Sequence, residues 1–512
     1  MGMRKFWSLF NRRLLTIMLL LIQAWFLLDL VIRGSLLSQR ISEVLTLASI
    51  LAVLYIVSKK GKGAYKTAWA ILILAFPLFG GLFYLLYCLQ TSSRYFSHHI
   101  GRVQEKAQPL FALPGTAGEE AAARFPEHQT QIRYLQYYAG FPAYANTSAR
   151  YLSPGESFWE ELLAQLEKAE HYIFLEYFIV QEGEMWGKIL EILKRKAAGG
   201  VLVRVLYDDF GCLLKLPKGY ARQLREYGIE CCVFNPFRPV LSAMQNNRDH
   251  RKIAVIDGKV AFTGGVNLAD EYINAVQRFG HWLDAAVVLE GSAAWSLTLI
   301  FLQTWTLCSR QEEDYGRYYP WKDEPCPVQA EGYVQPYADS PLDDENVGEH
   351  VYQQVLNTAR DYVYINTPYL IIDDSTVSAL CLAAKSGVDV RIVAPHKADN
   401  WFVHMTTRSY YRDLIRGGVK VYEYSPGFIH SKTFVSDDSV AVVGSTNMDF
   451  RSLYLHFEDG VYLCGASAIE DIHADFAATF PKCEEITYAA CKRTHPGQRL
   501  LQTLLKLFSP LL

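Results

Sequence analysis

His250-Arg251-Lys252-Ile253-Ala254-Val255-Ile256-Asp257, continuing to Gly264-Gly265-Val266-Asn267, has a second version in the same chain: His430-Ser431-Lys432-Thr433-Phe434-Val435-Ser436-Asp437, continuing to Gly444-Ser445-Thr446-Asn447. One offset relates the key positions, since 430 − 250, 432 − 252, 437 − 257, 444 − 264 and 447 − 267 all equal 180. A single His-x-Lys with a downstream Asp arises easily by chance. Two copies in register, with matching Gly and Asn, indicate a duplicated fold whose halves each bring a His, a Lys and an Asn to a shared site.

Outward from the motifs, the same elements recur in each half. An amphipathic helix through Phe158, Leu162, Leu163 and Leu166 leads into the apolar run Tyr172–Phe178; its counterpart runs through Val351, Val355 and Leu356 into Tyr362–Tyr369. Each half then repeats a helix, a capping Gly and a β-branched run, at Gly200 and Gly228 in the first and at Gly387 and Gly418 in the second. Short apolar runs after helical periodicity read as buried strands of a mainly parallel sheet. The motif itself occupies a hairpin. Lys252–Ile256 and Val260–Thr263 flank Asp257-Gly258, and Thr433–Val435 and Ser439–Val443 flank Asp437-Asp438. Period-two alternation puts His250 and Lys252 on one side of their strand, and His430 and Lys432 likewise. The fold class expected is α/β: two halves related by a pseudo-twofold, at 145–325 and 326–485, each a mainly parallel sheet flanked by helices.

These residue types suit phosphodiester chemistry. An anionic diester must have its nonbridging oxygens neutralised, and Lys252, Lys432, Asn267 and Asn447 supply charge and hydrogen bonds. One neutral imidazole can attack phosphorus while the other, protonated, serves the leaving alkoxide and later deprotonates the incoming alcohol. Imidazole titrates near neutrality, so it can act as acid and then as base. His98, His99, His171, His404 and His456 stand outside the repeat and read as non-catalytic. Asp257 and Asp437 complete the repeated pattern, but at strand ends beside turns they read as structural. Asp284 and Glu458, each before a strand-like run closed by Gly, are candidates to orient the imidazoles. No H-x-x-x-H pattern or carboxylate cluster suggests a metal, and no G-x-x-x-x-G-K-[ST] loop suggests a nucleotide, so neither metal nor cofactor is expected.

The remaining chain points to a membrane. Leu14–Ile32 is apolar apart from Gln23 and Asp29; Ile41–Val57 is a shorter candidate, and Thr67–Leu89 a longer one interrupted by Pro77 and Gly80-Gly81. Residues 1–90 are therefore expected to form a membrane region of two to three transmembrane helices. Lys59, Lys60, Lys62 and Lys66 place the loop after Val57 in the cytoplasm, and three spans would put the catalytic region on the extracytoplasmic side. Residues 91–144, polar and with Pro109, Pro114 and Pro126, read as an irregular connector, and 486–512 as an amphipathic tail. A net charge of −3 disfavours a nucleic-acid partner. The ten cysteines lack C-x-x-C spacing and read as apolar filler.

With these residues in hand, the chain resembles the phospholipase D superfamily, whose signature is a duplicated HxK(x)4D, and within it the bacterial cardiolipin synthase branch. The resemblance rests also on Leu74-Ala75-Phe76-Pro77-Leu78-Phe79-Gly80-Gly81, Asn366-Thr367-Pro368-Tyr369, Arg408-Ser409-Tyr410-Tyr411, Arg451-Ser452 and the terminal Leu507–Leu512. It implies a catalytic set of His250, Lys252, Asp257, His430, Lys432 and Asp437, with His250 the nucleophile and His430 the acid/base. It also implies phosphatidyl transfer between two phosphatidylglycerol molecules in a lipid bilayer, releasing glycerol. Trp282-Leu283-Asp284 stands where the family typically has Trp-Arg-Asp, and Leu302-Gln303-Thr304-Trp305 where an acidic residue is common. Exchange of one diester for another is nearly isoenergetic, which agrees with the missing nucleotide loop. A hydrolytic phospholipase D, or a transferase using another alcohol, would need the same site residues and stands as the alternative. A membrane-tethered nuclease is disfavoured by the acidic balance, and an inert scaffold by the survival of both His-Lys pairs.

Overall fold

The computed structural model describes residues 36–76, 91–237, 243–343 and 345–511, together with Met18, Leu21, Gly80, Gly81 and Tyr84. The chain forms two compact units, one of Met1–Phe96, Phe237–Asn246 and Leu504–Leu512, the other of Ser97–Pro236 and Asn247–Thr503.

In the first unit, Leu36–Ser58 is a helix whose segment Arg40–Ser58 is long and apolar enough to cross a membrane. Val44, Leu47, Leu51 and Leu54 are exposed on it, as in a helix with apolar surroundings. Among the described residues, the shortest of the three expected spans thus gives the longest apolar helix. Thr67–Leu89 instead contributes to a described helix of only 13 residues, Gly63–Ala75. It stops at Phe76 (φ −134°, ψ 73°), because the residue before a proline is pushed out of the α region. Leu14–Ile32 lies outside the described residues except for Met18 and Leu21. Among the described residues, then, one helix rather than two or three has the length to span. The tail forms the helix Pro496–Phe508, and Leu511 beyond it packs on the cluster of Ile56, Trp69, Ile73 and Tyr84.

The second unit holds two large sheets and two small two-stranded ones. The first has seven strands in the order Thr147–Leu152, Ala286–Gly291, Val260–Gly264, Lys252–Ile256, Tyr172–Tyr177, Leu202–Asp208, Glu230–Phe234. Only the last two pairings are parallel. The second has eight strands in the order Cys483–Glu485, Lys420–Tyr424, Asp389–Pro395, Tyr362–Asn366, Thr433–Ser436, Val440–Gly444, Glu458–Cys464, Tyr333–Asp339, again with two parallel pairings. The sheets are therefore mixed, not mainly parallel. Helix crossovers give the parallel pairs, whereas the motif hairpins and the strands beyond them run antiparallel. The hairpin strands are nonetheless buried throughout, as parallel ones usually are. On the first sheet the cause is the helix Ala294–Ser309, of which twelve residues are buried. Continuous apolar runs thus misreport strand direction here.

The hairpins themselves follow the sequence pattern. Asp257 and Gly258 have φ of 52° and 65°, and Asp437 and Asp438 53° and 50°. Two successive left-handed residues make the tight turn that matches strand twist, closed by Lys259 N–H to Ile256 O and by Ser439 N–H to Ser436 O. Residues 91–144 depart from the irregular connector expected. They form the helices Thr91–Ala107, Gly118–Arg124 and Gln129–Arg133 with short turns between, and Pro109 and Pro126 open such turns, where their missing N–H costs nothing. Phe111, Ile132 and Leu135 from this segment are buried, and Tyr144 donates its hydroxyl to Phe111 O at 2.7 Å.

Candidate active site

Each motif His is set at the start of its hairpin by a strand of the other half. His250 N–H donates to Phe457 O at 2.9 Å, and His430 N–H to Leu283 O at 2.7 Å. The residue after each of these acceptors is a carboxylate, and each carboxylate takes the ring. His250 Nδ1 lies 2.9 Å from Glu458 Oε1 and 3.0 Å from Oε2, and His430 Nδ1 lies 2.6 Å from Asp284 Oδ2. An ionised carboxylate only accepts, so Nδ1 carries the proton and Nε2 keeps its lone pair. The pairing is crossed: the first half's His is held by the second half's Glu, and the second half's His by the first half's Asp.

Local packing explains why the two carboxylates differ. Gly265 and Ser445 are equivalent positions. Ser445 Oγ donates to Glu458 Oε2 at 2.5 Å and accepts from Asp459 N–H at 2.9 Å. A Cβ on Gly265 would fall 2.0 Å from Asp284 Oδ1, so only glycine leaves room for that carboxylate. Asp284 is tethered instead by the Ala285 N–H at 2.8 Å.

His250, His430, Asn267 and Asn447 line one cavity of about 340 Å³, together with Phe178, Tyr272, Arg278, Trp282, Arg451 and His456. Asn267 is engaged with protein, its Oδ1 accepting from Ile179 N–H at 3.0 Å and its Nδ2 donating to the Tyr272 hydroxyl at 2.8 Å. Asn447 Oδ1 is buried with no protein partner. Lys252, Lys432, Asp284 and Glu458 are buried but do not line the cavity. Each lysine folds back so that Nζ donates to the carbonyl of the His two residues earlier. Lys432 Nζ also lies 2.7 Å from His430 Nδ1.

Burial dominates the electrostatics. It pushes His250 down to about 3 against the pull of Glu458, and His430 down to about 4 with help from Lys432 and against Asp284. Both imidazoles are thus neutral near neutral pH. Burial also lowers Lys252 to about 8 and Lys432 to about 7, against the neighbouring carboxylates. Asp284 and Glu458 go the other way. Burial raises them, but the interactions of Asp284 with His430 and Lys432, and of Glu458 with His250 and Lys252, outweigh it through the ring N–H bonds and the lysine charges, so both stay ionised.

Asp257 and Asp437, counted in the catalytic set by their place in the signature, are not at this cavity. Asp257 accepts N–H bonds from Glu170, His171 and Tyr172 at 2.7–2.8 Å, and Asp437 from Arg360, Asp361 and Tyr362 at 2.8–3.0 Å. A strand of five residues in the first half and of four in the second separates each from its His, on the order of 20 Å. They tie the hairpin turn to the start of the neighbouring strand, the structural role their place beside turns suggests. His456, read from sequence as non-catalytic, is in the cavity wall 5.4 Å from His250, ring centre to ring centre. Its signal was present in the numbering: 458 − 284 and 456 − 282 both give 174, which pairs His456 with Trp282.

The chain can be compared with known proteins on this basis. The family model described as cardiolipin synthase, PLD-like domain, matches residues 162–292 and again 352–480, and a phospholipase D-nuclease N-terminal model matches 44–87. An uncharacterized protein of Streptococcus mutans is 44% identical over 462 residues, covering 90% of this chain and 99% of that one. Cardiolipin synthases of Geobacillus sp. (strain WCH70) and Geobacillus thermodenitrificans are each 35% identical over 92% of this chain and 93% and 94% of theirs. The crystal structure of phosphatidylserine synthase from Haemophilus influenzae superposes with a TM-score of 0.55 at 13% identity, covering 71% of this chain and 95% of that one, a likeness of fold.

Proposed function

The chain belongs to the cardiolipin synthase family of phospholipase D-like proteins, and from that premise we propose that it passes a phosphatidyl group from one phosphatidylglycerol to the terminal hydroxyl of a second, giving cardiolipin and glycerol. The observation that carries the mechanism is the crossed pairing: two imidazoles on one cavity, each with Nδ1 held by a buried carboxylate of the opposite half.

Both rings are neutral near neutral pH, so the acid must be charged as substrate arrives. The phosphodiester brings an anion into a site of low dielectric, which favours an imidazolium beside it. His430 takes this proton; the face of Trp282, 5.2 Å away, favours a cation there. His250 Nε2 attacks phosphorus, the bond to the glycerol oxygen breaks, and His430 protonates the departing alkoxide. After glycerol leaves, His430 removes the proton from the second lipid's hydroxyl. The oxygen attacks phosphorus, and the nitrogen–phosphorus bond breaks. Lys252 and Lys432 beneath the cavity, with Asn267 and Asn447 in its wall, stabilise the nonbridging oxygens.

The protein is membrane-associated by family and by its apolar helix. The lysines at 59, 60, 62 and 66 support a cytoplasmic loop there, and with it a multi-pass anchor and an extracytoplasmic catalytic unit. The purified protein, incubated in mixed micelles with phosphatidylglycerol alone, should release glycerol and form a four-chain lipid. Phosphatidic acid as the only product would replace transfer by hydrolysis.

A further inference from the structure

The pseudo-twofold of the site is broken beside the two imidazoles. Trp282 lies 5.2 Å from His430 at an interplanar angle of 39°, and its counterpart His456 lies 5.4 Å from His250 at 41°. The same geometry therefore holds an indole beside one catalytic ring and an imidazole beside the other. The His456 side chain is nine-tenths buried; its Nε2 has no hydrogen-bond partner, and its Nδ1 reaches only Glu458 Oε1, at 3.7 Å. A buried ring nitrogen left unpaired in native packing calls for a ligand or another explanation.

Three donors converge there. One ligand atom from each of His250, His456 and Glu458 lies within 4.8 Å of the other two. His250 Nδ1 is 2.9 Å from Glu458 Oε1, and His456 Nδ1 is 3.7 Å from the same oxygen. A tetrahedral ion with bonds of about 2.0–2.1 Å holds its ligands about 3.3 Å apart, a spacing between these two edges. Two imidazoles and one carboxylate suit zinc, cobalt or nickel better than magnesium or calcium. Glu458 would stay anchored through its other oxygen by Ser445 Oγ. The Lys252 ammonium opposes a cation here, and the buried carboxylate Asp284, whose charge reaches Lys252, offsets it.

We propose that His250, His456 and Glu458 form a binding site for a divalent transition ion of the zinc class, and that the ion reversibly switches the enzyme off. The inhibition, though not the binding, rests on His250 being the nucleophile. When the ion takes Nδ1 of His250, the proton that Nδ1 carried and donated in its hydrogen bond to Glu458 moves to Nε2 of the same ring, with no net proton released. Nε2 then has no lone pair to attack phosphorus. The fourth position of the ion opens to the cavity, where water or a phosphate oxygen completes it.

The test uses the full-length chain in detergent, stripped with chelator and titrated with Co2+. One Co2+ per chain should bind with the intense visible absorption of a tetrahedral site, and Zn2+ should displace it. Zn2+ should abolish cardiolipin formation, and chelator should restore it. His456→Asn should weaken Co2+ binding at least ten-fold. Unchanged binding in that variant, or no stoichiometric tetrahedral band in the wild type, overturns the site. Should His456→Asn fail to fold, zinc-edge X-ray absorption on the wild type decides: two imidazoles and one carboxylate support the site, and an all-oxygen shell overturns it. Binding without inhibition leaves the site standing and overturns His250 as nucleophile.

Discussion

Replacing Glu458 by Gln tests the crossed pairing most directly. The side chain keeps its shape and its place against Ser445, but loses the charge that faces His250 Nδ1 at 2.9 Å in a fully buried setting. That charge supports the positive ring formed as His250 bonds to phosphorus. With the charges about 4 Å apart and an effective dielectric near 20, the loss is about 4 kcal/mol, or roughly a 10³-fold drop in rate. Asp284→Asn should cost about as much in overall turnover, but for a different reason, because it disables the acid/base His430. A phosphatidyl ester of p-nitrophenol separates the two. Its leaving group needs no proton, so rapid-quench trapping should find Asp284→Asn accumulating the phosphohistidine enzyme near the wild-type rate, with slow release. Glu458→Gln should form that intermediate about 10³-fold more slowly even with the activated ester. A wild-type burst from Glu458→Gln, or a lost burst from Asp284→Asn, refutes the assignment of each carboxylate to its ring.

Three further outcomes are expected. With His250 held near 3 and His430 near 4, protonation of the free enzyme's imidazoles is confined to acid pH, whereas Lys432 near 7 and Lys252 near 8 lose their charge as pH rises. Because the step needs His430 protonated, kcat/KM should fall as pH rises from about 5, and more steeply above about pH 7 as the lysines lose the protons that attract phosphate; a flat profile between about pH 5 and 7 would contradict it. Asp437→Ala strips the acceptor from three backbone N–H groups and should destabilise the fold by about 3 kcal/mol, read as a lowered thermal midpoint in detergent, while the folded fraction keeps its kcat. Gly265→Ala puts a Cβ 2.0 Å from Asp284 Oδ1 and should lower kcat at least ten-fold with little change in melting temperature, whereas Ser445→Ala, which loses one hydrogen bond to Glu458, should cost about 1–1.5 kcal/mol of activation energy. Equal activity of the Gly265→Ala and wild-type enzymes would show that Asp284 does not need that space.

The chain's amino acids by themselves established the duplication, the hairpins and the residue types at the site. Strong local rules govern these: a repeated offset of 180, Asp-Gly and Asp-Asp turns that demand left-handed backbone, and alternation that keeps His and Lys together. Strand direction was not legible, because burial on both faces makes antiparallel strands read like parallel ones. The 91–144 segment was misread because prolines that open helical turns look, in sequence, like prolines that break them. Only the tertiary structure decided which carboxylate serves which imidazole. Glu458 lies 208 positions from His250, and Asp284 lies 146 from His430. No local pattern spans such separations. The pairing is fixed where the backbone of each half runs beside the motif of the other, at His250 N–H to Phe457 O and His430 N–H to Leu283 O. The same packing set the motif aspartates apart from the cavity and brought His456 to its wall.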